Sequence, residues 1–176
     1  IKDLSILVFD GEFGIGNGAL LPAGPLREPL TQAISRAQAA VIIGKDCHRL
    51  SSTLASYIPV FSAKFAPCCS EGDKGRAVIA FAGIGSPEKF FASIKAAGFR
   101  LASEYAFPDH HYYTATELAD LRAEGRKRDA QLITTEKDFL RLETAARDGI
   151  KPFPVTLAWS DETSFATFLD HQLKVS

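Results

Sequence analysis

The clearest indication of the fold is the stretch Ala77-Val-Ile-Ala-Phe-Ala-Gly-Ile-Gly-Ser-Pro-Glu-Lys89. It opens with six apolar residues typical of a buried strand, and two glycines then indicate a tight turn. Ser86 is placed to cap a helix over residues 87–97, and Pro87 suits its first position. A strand that leads through a glycine turn into a capped helix is the repeating step of folds with parallel strands and crossover helices, so the sequence predicts an α/β fold.

The same alternation of strand and helix patterns continues on both sides of this stretch. A second helix begins near Thr114, whose Thr-x-x-Glu spacing with Glu117 fits a capping box, and a final helix over residues 162–173 has one apolar face. Strands are predicted at residues 4–9, 40–44, 59–65, 77–82, 99–107, 131–135 and 153–159. Together these elements predict a Rossmann-like α/β/α sandwich with a mostly parallel sheet.

Size and charge narrow the class of function. The chain has 176 residues, 46% of them hydrophobic, which is enough for one well-buried domain, or for one domain plus a fragment of a second. A formal net charge of −1 argues against a broad nucleic-acid surface, which is usually basic, so no nucleic-acid partner is expected. No apolar run approaches the roughly 18 residues of a membrane span, so any membrane contact is expected to be peripheral.

A loop rich in glycine and proline occupies residues 11–29 and ends in Arg27-Glu28-Pro29. The surrounding prolines restrict the backbone of the Arg-Glu pair. The arginine offers a planar fork for phosphate oxygens, and the adjacent carboxylate could hold Mg²⁺. The residues alone leave a second interpretation open, in which the two side chains form a surface charge pair beside a helix start.

The segment Asp109-His110-His111 follows the end of the predicted strand 99–107, at the edge where side chains of α/β sheets project toward ligands. An imidazole at this position could act as a general base or support a carboxylate in that role. An exposed polar turn, capped by Asp109, also explains the pattern.

Two further segments lie at the ends of predicted strands. The turn Gly83-Ile-Gly85 could present backbone N–H groups to a phosphate, or be only a tight turn. Thr134-Thr135-Glu136-Lys137-Asp138 could contact a nucleotide or anion, or cap the helix that follows. The phosphate-binding pattern Gly-x-x-x-x-Gly-Lys-Ser/Thr does not occur in the sequence.

Taken together and in order, these segments resemble the second half of the tetraacyldisaccharide 4'-kinase family. That family carries a loop like Gly-Asn-Gly with Pro-Ala-Gly-Pro-Leu-Arg-Glu-Pro, then Phe-Ala-Gly-Ile-Gly-x-Pro-Glu-Lys-Phe-Phe, then Phe-x-Asp-His, then Thr-Thr-Glu-Lys-Asp. The matching stretches here are residues 16–18 with 22–29, 81–91, 107–110 and 134–138. The resemblance spans essentially the whole chain.

The resemblance implies transfer of the γ-phosphate of ATP to the 4'-hydroxyl of a tetraacyldisaccharide 1-phosphate lipid, with Mg²⁺. It places the protein peripherally at the cytoplasmic face of the bacterial inner membrane. It also implies that this chain is the C-terminal domain of a two-domain P-loop-type kinase. The P-loop and the membrane contact then lie in a missing N-terminal half, and this fragment is expected to be inactive alone.

By motif, the resemblance assigns catalytic roles to Arg27, Glu28 and His110. Arg27 would stabilise charge on the transferring phosphoryl group, Glu28 would help hold Mg²⁺, and His110 would work with an aspartate of the other half. Four further candidates, on the loop or nucleotide side, are Gly16, Asn17, Lys137 and Asp138. His111 is not expected to be catalytic, because the family pattern fixes the first histidine after the aspartate.

The same resemblance divides the chain into four parts. Residues 1–10 are expected to be the last strand of the missing N-terminal domain, and residues 11–29 the loop between domains. Residues 30–160 would form the C-terminal α/β domain, and residues 161–176 a helix that packs on the missing domain. The first strand is therefore expected to have lost its sheet.

Two other classes of function stay open. A Rossmann-like module that binds a nucleotide or a sugar phosphate without chemistry would explain the absence of a P-loop. A nucleotide-sugar or glycosyl transferase domain would also be α/β and bind phosphates, although the Pro-Ala-Gly-Pro-Leu-Arg-Glu stretch has no evident role there.

Overall fold

The computed structural model describes residues 4–68 and 71–174. In chain order, its strands and α-helices are β1 (Ile6–Asp10), α1 (Leu30–Arg36), β2 (Ala39–Ile43), α2 (Leu50–Leu54), β3 (Val60–Pro67), β4 (Ala77–Ala82), α3 (Pro87–Ala96), β5 (Arg100–Ala106), α4 (Ala115–Arg128), β6 (Gln131–Thr135), α5 (Glu136–Arg141), β7 (Ile150–Phe153), β8 (Val155–Trp159) and α6 (Glu162–Lys174). The chain forms two compact units. The first unit comprises Ile1–Phe65 and Leu157–Ser176, and the second unit comprises Ala66–Thr156.

The sheet of the second unit has the strand order β5-β4-β6-β7, and every neighbouring pair in it is parallel. Alternate residues of β4 point to opposite faces of this sheet. On one face they pack against α3, and on the other against α4. The α3 side includes Val78, Ala80, Phe90 and Ile94, and the α4 side includes Ile79, Phe81, Leu118 and Leu121. Because β4 is covered on both faces, its sequence is apolar throughout.

The sheet of the first unit has the strand order β1-β2-β3-β8, with β1–β2 and β2–β3 parallel. One face packs against α2 through a cluster that includes Ala40, Ile42, Leu50 and Leu54. On the other face, the ring of Phe61 lies 5.1 Å from that of Phe165 and 5.2 Å from that of Phe168, both on α6. Phe165 also stacks on Trp159 at 3.8 Å between ring centroids.

The predicted α/β fold with a mostly parallel sheet is confirmed. The bounds of β4 and β6 are those predicted, and so is the capping box of α4. Thr114 Oγ1 accepts a hydrogen bond from the Glu117 N–H at 3.2 Å, and the Glu117 carboxylate accepts one from the Thr114 N–H at 2.7 Å. Ser86 occupies the predicted N-cap position of α3, but its side chain makes no cap bond.

The predicted single strand at residues 153–159 is wrong. The structure has two strands there, β7 and β8, which belong to different sheets. Pro154 separates them. Proline has no N–H to give to a ladder, and its carbonyl instead accepts a hydrogen bond from Cys68 N at 2.9 Å. Periodicity alone does not show this break.

The first strand also differs from expectation, and the last helix has contacts within this chain. The strand β1 has not lost its sheet, because it pairs with β2 from Ile6↔Ala39 to Asp10↔Ile43. The aromatic face of α6 packs on this chain's own β3. The predicted boundaries near residues 10, 29 and 160 therefore differ from those of the two units. Assignment of residues 1–10 and 161–176 to a contact with a further domain stays a prediction, and residues 1–3 and 175–176 lie outside the described residues.

Candidate functional site

The strand order of the second unit creates a topological switch point. From β4 the chain crosses by α3 to β5, then returns by α4 on the other face to β6 on the opposite side of β4. In open α/β sheets, ligands bind outside the carboxyl ends of the strands at such a point. The turns that follow β4 and β5 meet at this edge with the start of α5, which follows β6 directly. These segments carry the predicted site residues His110, Lys137 and Asp138.

Asp138 joins these turns. Its side chain is fully buried, and its Oδ2 accepts hydrogen bonds from the Gly83 N–H and the Thr135 hydroxyl, both at 2.9 Å. Its Oδ1 accepts one from Arg141 Nη1 at 3.0 Å. Thr135 in turn caps α5 by accepting from the Asp138 N–H at 3.0 Å. A buried carboxylate must be paired and hydrogen-bonded to stay charged, and here all its bonds hold protein groups together.

This geometry gives Asp138 a structural role, and its predicted place on the nucleotide side stays a prediction. A direct contact with a nucleotide does not fit a side chain that is excluded from solvent and already bonded to Gly83, Thr135 and Arg141. The alternative interpretation of the Thr-Thr-Glu-Lys-Asp segment, capping of the following helix, is observed. Lys137 is about half exposed, and its Nζ lies 4.0 Å from Asp109 Oδ1.

His110 is held by both its backbone and its ring. Its φ of +62° is uncommon for a residue other than glycine. Its N–H donates to Gly83 O at 3.0 Å and to Asp109 Oδ1 at 2.9 Å. Ring atom Nδ1 lies 2.8 Å from Arg141 Nη2, while 68% of the side chain stays exposed. An exposed imidazole with a fixed orientation suits a group that meets an incoming substrate.

Gly83 is required by close packing at this edge. A Cβ there would lie 3.1 Å from His111 Cβ and 3.2 Å from both Pro108 O and the Tyr113 hydroxyl. The glycine turn therefore lets the backbone approach the segment that carries His110. Its N–H is bonded to Asp138, so it is not available to a phosphate.

His111 supports the structure of this edge. Its Nε2 lies 3.1 Å from both carboxylate oxygens of Glu117, and its ring stacks on Phe107 at 4.8 Å. Hydrogen bonds from the Thr114 N–H and from His111 lower the pKa of Glu117. Burial raises the pKa of the Tyr113 phenol, and the Asp138 carboxylate adds to that increase.

The glycine loop, residues 11–29 of the first unit, carries the other predicted site residues. Gly16 has φ +59°, and a Cβ there would lie 2.8 Å from Pro25 Cγ. Asn17 bridges the loop, because its Nδ2 donates to Ala23 O at 2.8 Å and its Oδ1 accepts from Ala19 N at 3.1 Å. Both residues shape the loop through contacts within it.

Arg27 and Glu28 close this loop and differ in their surroundings. Arg27 is exposed, and none of the described residues forms a hydrogen bond or ion pair with its guanidinium. Glu28 is partly buried and pairs through Oε1 with Arg36 Nη2. The guanidinium of Arg27 is thus available to bind an anion. Glu28 could bind a cation only if it gave up or shared its ion pair with Arg36.

Several residues of this edge escaped the sequence analysis. Arg141 is the most important, because it links Asp138 to His110. The Asp-x-x-Arg spacing of residues 138 and 141 on one helix was a usable signal, since side chains three residues apart are neighbours.

Cavities lie at both edges of the second unit's sheet. One of about 510 Å³ adjoins the switch point, and its lining includes His111, Tyr112, Tyr113 and Arg141. Another, of about 570 Å³, lies at the amino ends of the strands and is lined by Arg76, Arg100, Arg126 and Asp129, among others. Ligands of open α/β sheets bind at the carboxyl edge, so the first cavity is the better candidate.

Residues 4–68 and 71–174 contain neither a cluster of metal ligands nor a membrane-spanning helix. No three or more His, Cys, Asp or Glu side chains converge in a set that could hold a metal ion. None of the helices in these ranges is both long enough and apolar enough to cross a bilayer.

Comparison with known proteins identifies the family. The family model described as tetraacyldisaccharide-1-P 4'-kinase matches residues 1–174. The tetraacyldisaccharide 4'-kinase of Paramagnetospirillum magneticum is 45% identical over 96% of this chain and 53% of its own length, and that of Gluconobacter oxydans is 42% identical over 96% and 52%. The chain thus spans about half the length of the curated relatives it matches.

A solved structure agrees with the fold. The structure of LpxK from Aquifex aeolicus in complex with ATP matches with a TM-score of 0.63 and 24% identity, over 98% of this chain and 53% of that one. The family model, the curated relatives and the shared fold agree, and the chain belongs to the tetraacyldisaccharide 4'-kinase family.

Proposed function

We propose that this chain is the C-terminal half of a kinase that transfers the γ-phosphate of ATP to the 4'-hydroxyl of a tetraacyldisaccharide 1-phosphate. The observation that carries the proposal is membership of the family over residues 1–174. In the reaction, a bond forms between the 4'-oxygen and the γ-phosphorus, and the bond from that phosphorus to the β,γ-bridging oxygen breaks. ADP leaves, and the hydroxyl proton passes to a basic group.

The roles of the chain's residues follow from phosphoryl transfer, in which catalysis is mostly positioning and charge stabilisation. The open guanidinium of Arg27 would bind oxygens of the transferring phosphoryl group. The fixed ring of His110 would support a carboxylate of the N-terminal half in accepting the hydroxyl proton. Gly16, Asn17 and Lys137 remain candidates on the nucleotide side, while Asp138 acts by holding the turns together.

Glu28 is the residue of this chain proposed to hold Mg²⁺. A magnesium ion in a kinase commonly takes one or two carboxylates and completes its shell with phosphate oxygens and water. A single partly buried carboxylate fits such a partial set, provided that it exchanges its contact with Arg36. When bound, the ion would neutralise charge on the phosphates.

The proposed setting is the cytoplasmic face of the bacterial inner membrane. The lipid substrate is amphiphilic, and the membrane contact is proposed to lie in the N-terminal half. That half is also proposed to supply the P-loop, because the pattern does not occur in this sequence. The chain alone is therefore expected to be inactive.

A paired kinase assay tests the proposal. The substrates are labelled ATP with Mg²⁺ and the tetraacyldisaccharide 1-phosphate, and the proteins are this chain alone and the chain joined to its proposed N-terminal half. Transfer by the joined protein only is the expected result. If neither protein transfers phosphate while the chain alone binds ATP or a sugar phosphate in calorimetry, the proposal fails and a binding module replaces it.

A further inference from the structure

The guanidinium of Arg141 lies between a buried carboxylate and an exposed imidazole. Its Nη1 is 3.0 Å from Asp138 Oδ1, and its Nη2 is 2.8 Å from His110 Nδ1. The carboxylate cannot rotate freely, because its Oδ2 is bonded to Gly83 N and to the Thr135 hydroxyl. The planar guanidinium is therefore held at one end by a fixed anion, and its other end fixes the ring.

This contact determines which nitrogen of His110 carries the proton. A guanidinium has five N–H donors, no acceptor and no accessible neutral form. Nδ1 must therefore be the acceptor in its contact with Arg141. A neutral imidazole whose Nδ1 accepts has its proton on Nε2.

The surroundings leave that Nε2–H pointed at an open position. The nearest charged oxygen, Asp109 Oδ2, is 3.8 Å away, which is too far for a hydrogen bond. The other oxygen of Asp109 lies 4.0 Å from Lys137 Nζ. The backbone of His110 is fixed independently by its N–H bond to Gly83 O at 3.0 Å. Ring and backbone are thus both held by contacts within this chain.

We propose that Arg141, anchored by Asp138, is a positioning residue that fixes His110 as an Nε2–H donor to an anionic oxygen. The use of His110 in catalysis rests on the proposed function, whereas its tautomer does not. In this arrangement neither nitrogen of the neutral ring has a free lone pair. His110 therefore does not itself take the proton of the attacking hydroxyl. It donates to the carboxylate or phosphate oxygen that lies opposite Nε2.

Long-range ¹H–¹⁵N correlation spectra of the histidine-labelled chain test the tautomer directly. The sequence has four histidines, and the His110→Gln variant assigns the signal of interest. At about pH 8.5, where imidazoles are neutral, we expect only the Nε2–H form at His110. Arg141→Met should give a mixture of both forms. Arg141→Lys should restore the single form in part, because one ammonium group does not reproduce both ends of the fork.

A matched control is Arg128→Gln, which removes an exposed arginine whose partners are Glu124 and the Ala102 carbonyl. It should leave the His110 signals unchanged. A wild-type chain with Nδ1–H at His110, or a single unchanged tautomer in a folded Arg141→Met chain, would overturn the proposal.

Kinetics separate this proposal from the proposed function. In a joined protein that is active, Arg141→Met should lower kcat about 10-fold or more, with KM for the lipid little changed. A wild-type kcat in that variant would overturn the catalytic part of the proposal. If the joined protein has no kinase activity but the spectra show the expected tautomers, the proposed function fails and the positioning by Arg141 stands.

Discussion

The turn cluster of the second unit (Gly83, His110, Thr135, Asp138 and Arg141) and the glycine loop of the first unit build their candidate sites in opposite ways. The turn cluster joins two separate turns, those of Gly83 and His110, to helix α5 through one buried carboxylate. The glycine loop is held mainly by bonds between residues a few positions apart, such as those of Asn17. Removal of the central carboxylate should therefore destabilise the whole turn cluster, because its distant segments meet there. Removal of one side chain in the glycine loop should affect only neighbouring residues of that loop.

The substitution Asp138→Ala is expected to cause the largest loss in the free energy of unfolding. This change leaves the Gly83 N–H and the Arg141 guanidinium without their buried partner, and loss of one member of a buried ion pair typically costs about 3 kcal/mol or more. Urea denaturation should show this loss in the free energy of unfolding. Asp109→Ala, which removes a half-exposed carboxylate from the same edge, is the control and should cost less than about 1 kcal/mol. Equal effects of the two changes would contradict the central role of Asp138.

Asn17→Ala should have a smaller and strictly local effect. It removes the bonds to Ala23 O and Ala19 N, both exposed, so we expect a loss of about 1 kcal/mol. Hydrogen exchange should show faster exchange in residues 16–25, with protection in β4 and β6 unchanged. Faster hydrogen exchange in the second unit as well would contradict a purely local role for Asn17.

The pH dependence of the unfolding free energy tests another set of local hydrogen bonds, those to Asp46. Hydrogen bonds from the Ser51 hydroxyl and from the Ser51 and Leu50 N–H groups lower its pKa to about 2. Because this folded-state pKa is below the ordinary value of 3.8, the carboxylate stabilises the fold above about pH 4, and that contribution is lost as the pH falls through 2. Asp46→Asn should flatten the decrease in unfolding free energy between those pH values. An identical pH profile in the variant would contradict this assignment.

The smallest expected effect on stability is that of Glu28→Gln. The ion pair of Glu28 with Arg36 has side chains 32% and 62% exposed, so its loss should change the free energy of unfolding by about 0.5 kcal/mol. Loss of the ion pair between Asp138 and Arg141, in which the carboxylate is fully buried, is expected to lower the free energy of unfolding more. A loss above about 2 kcal/mol would show that Glu28 has a structural role of its own.

Local patterns were sufficient for much of the fold. The apolar run of β4, the glycine turn and the Thr-x-x-Glu box of α4 are short-range signals, and each was read with correct or nearly correct bounds. The sequence motifs that contain Arg27, His110 and Asp138 could likewise be recognised, in that order, along the chain. Residues within one strand, turn or helix cap interact with near neighbours, so their spacing carries the information.

The spacing of residues along the sequence does not predict contacts between distant segments, which depend on the tertiary structure. The separation of β7 from β8 into different sheets, the pairing of β1 with β2 and the packing of α6 on Phe61 all depend on residues far apart in sequence. Asp138 is fully buried and accepts a hydrogen bond from Gly83, 55 residues away, so its anchoring role is also a long-range property. The spacing of motifs along the sequence was enough to locate His110, Lys137 and Asp138 at the carboxyl edge of the sheet, but not Arg141. Only the packed structure decided which of these side chains are excluded from water, because burial and partner choice depend on the strand order that brings distant turns together.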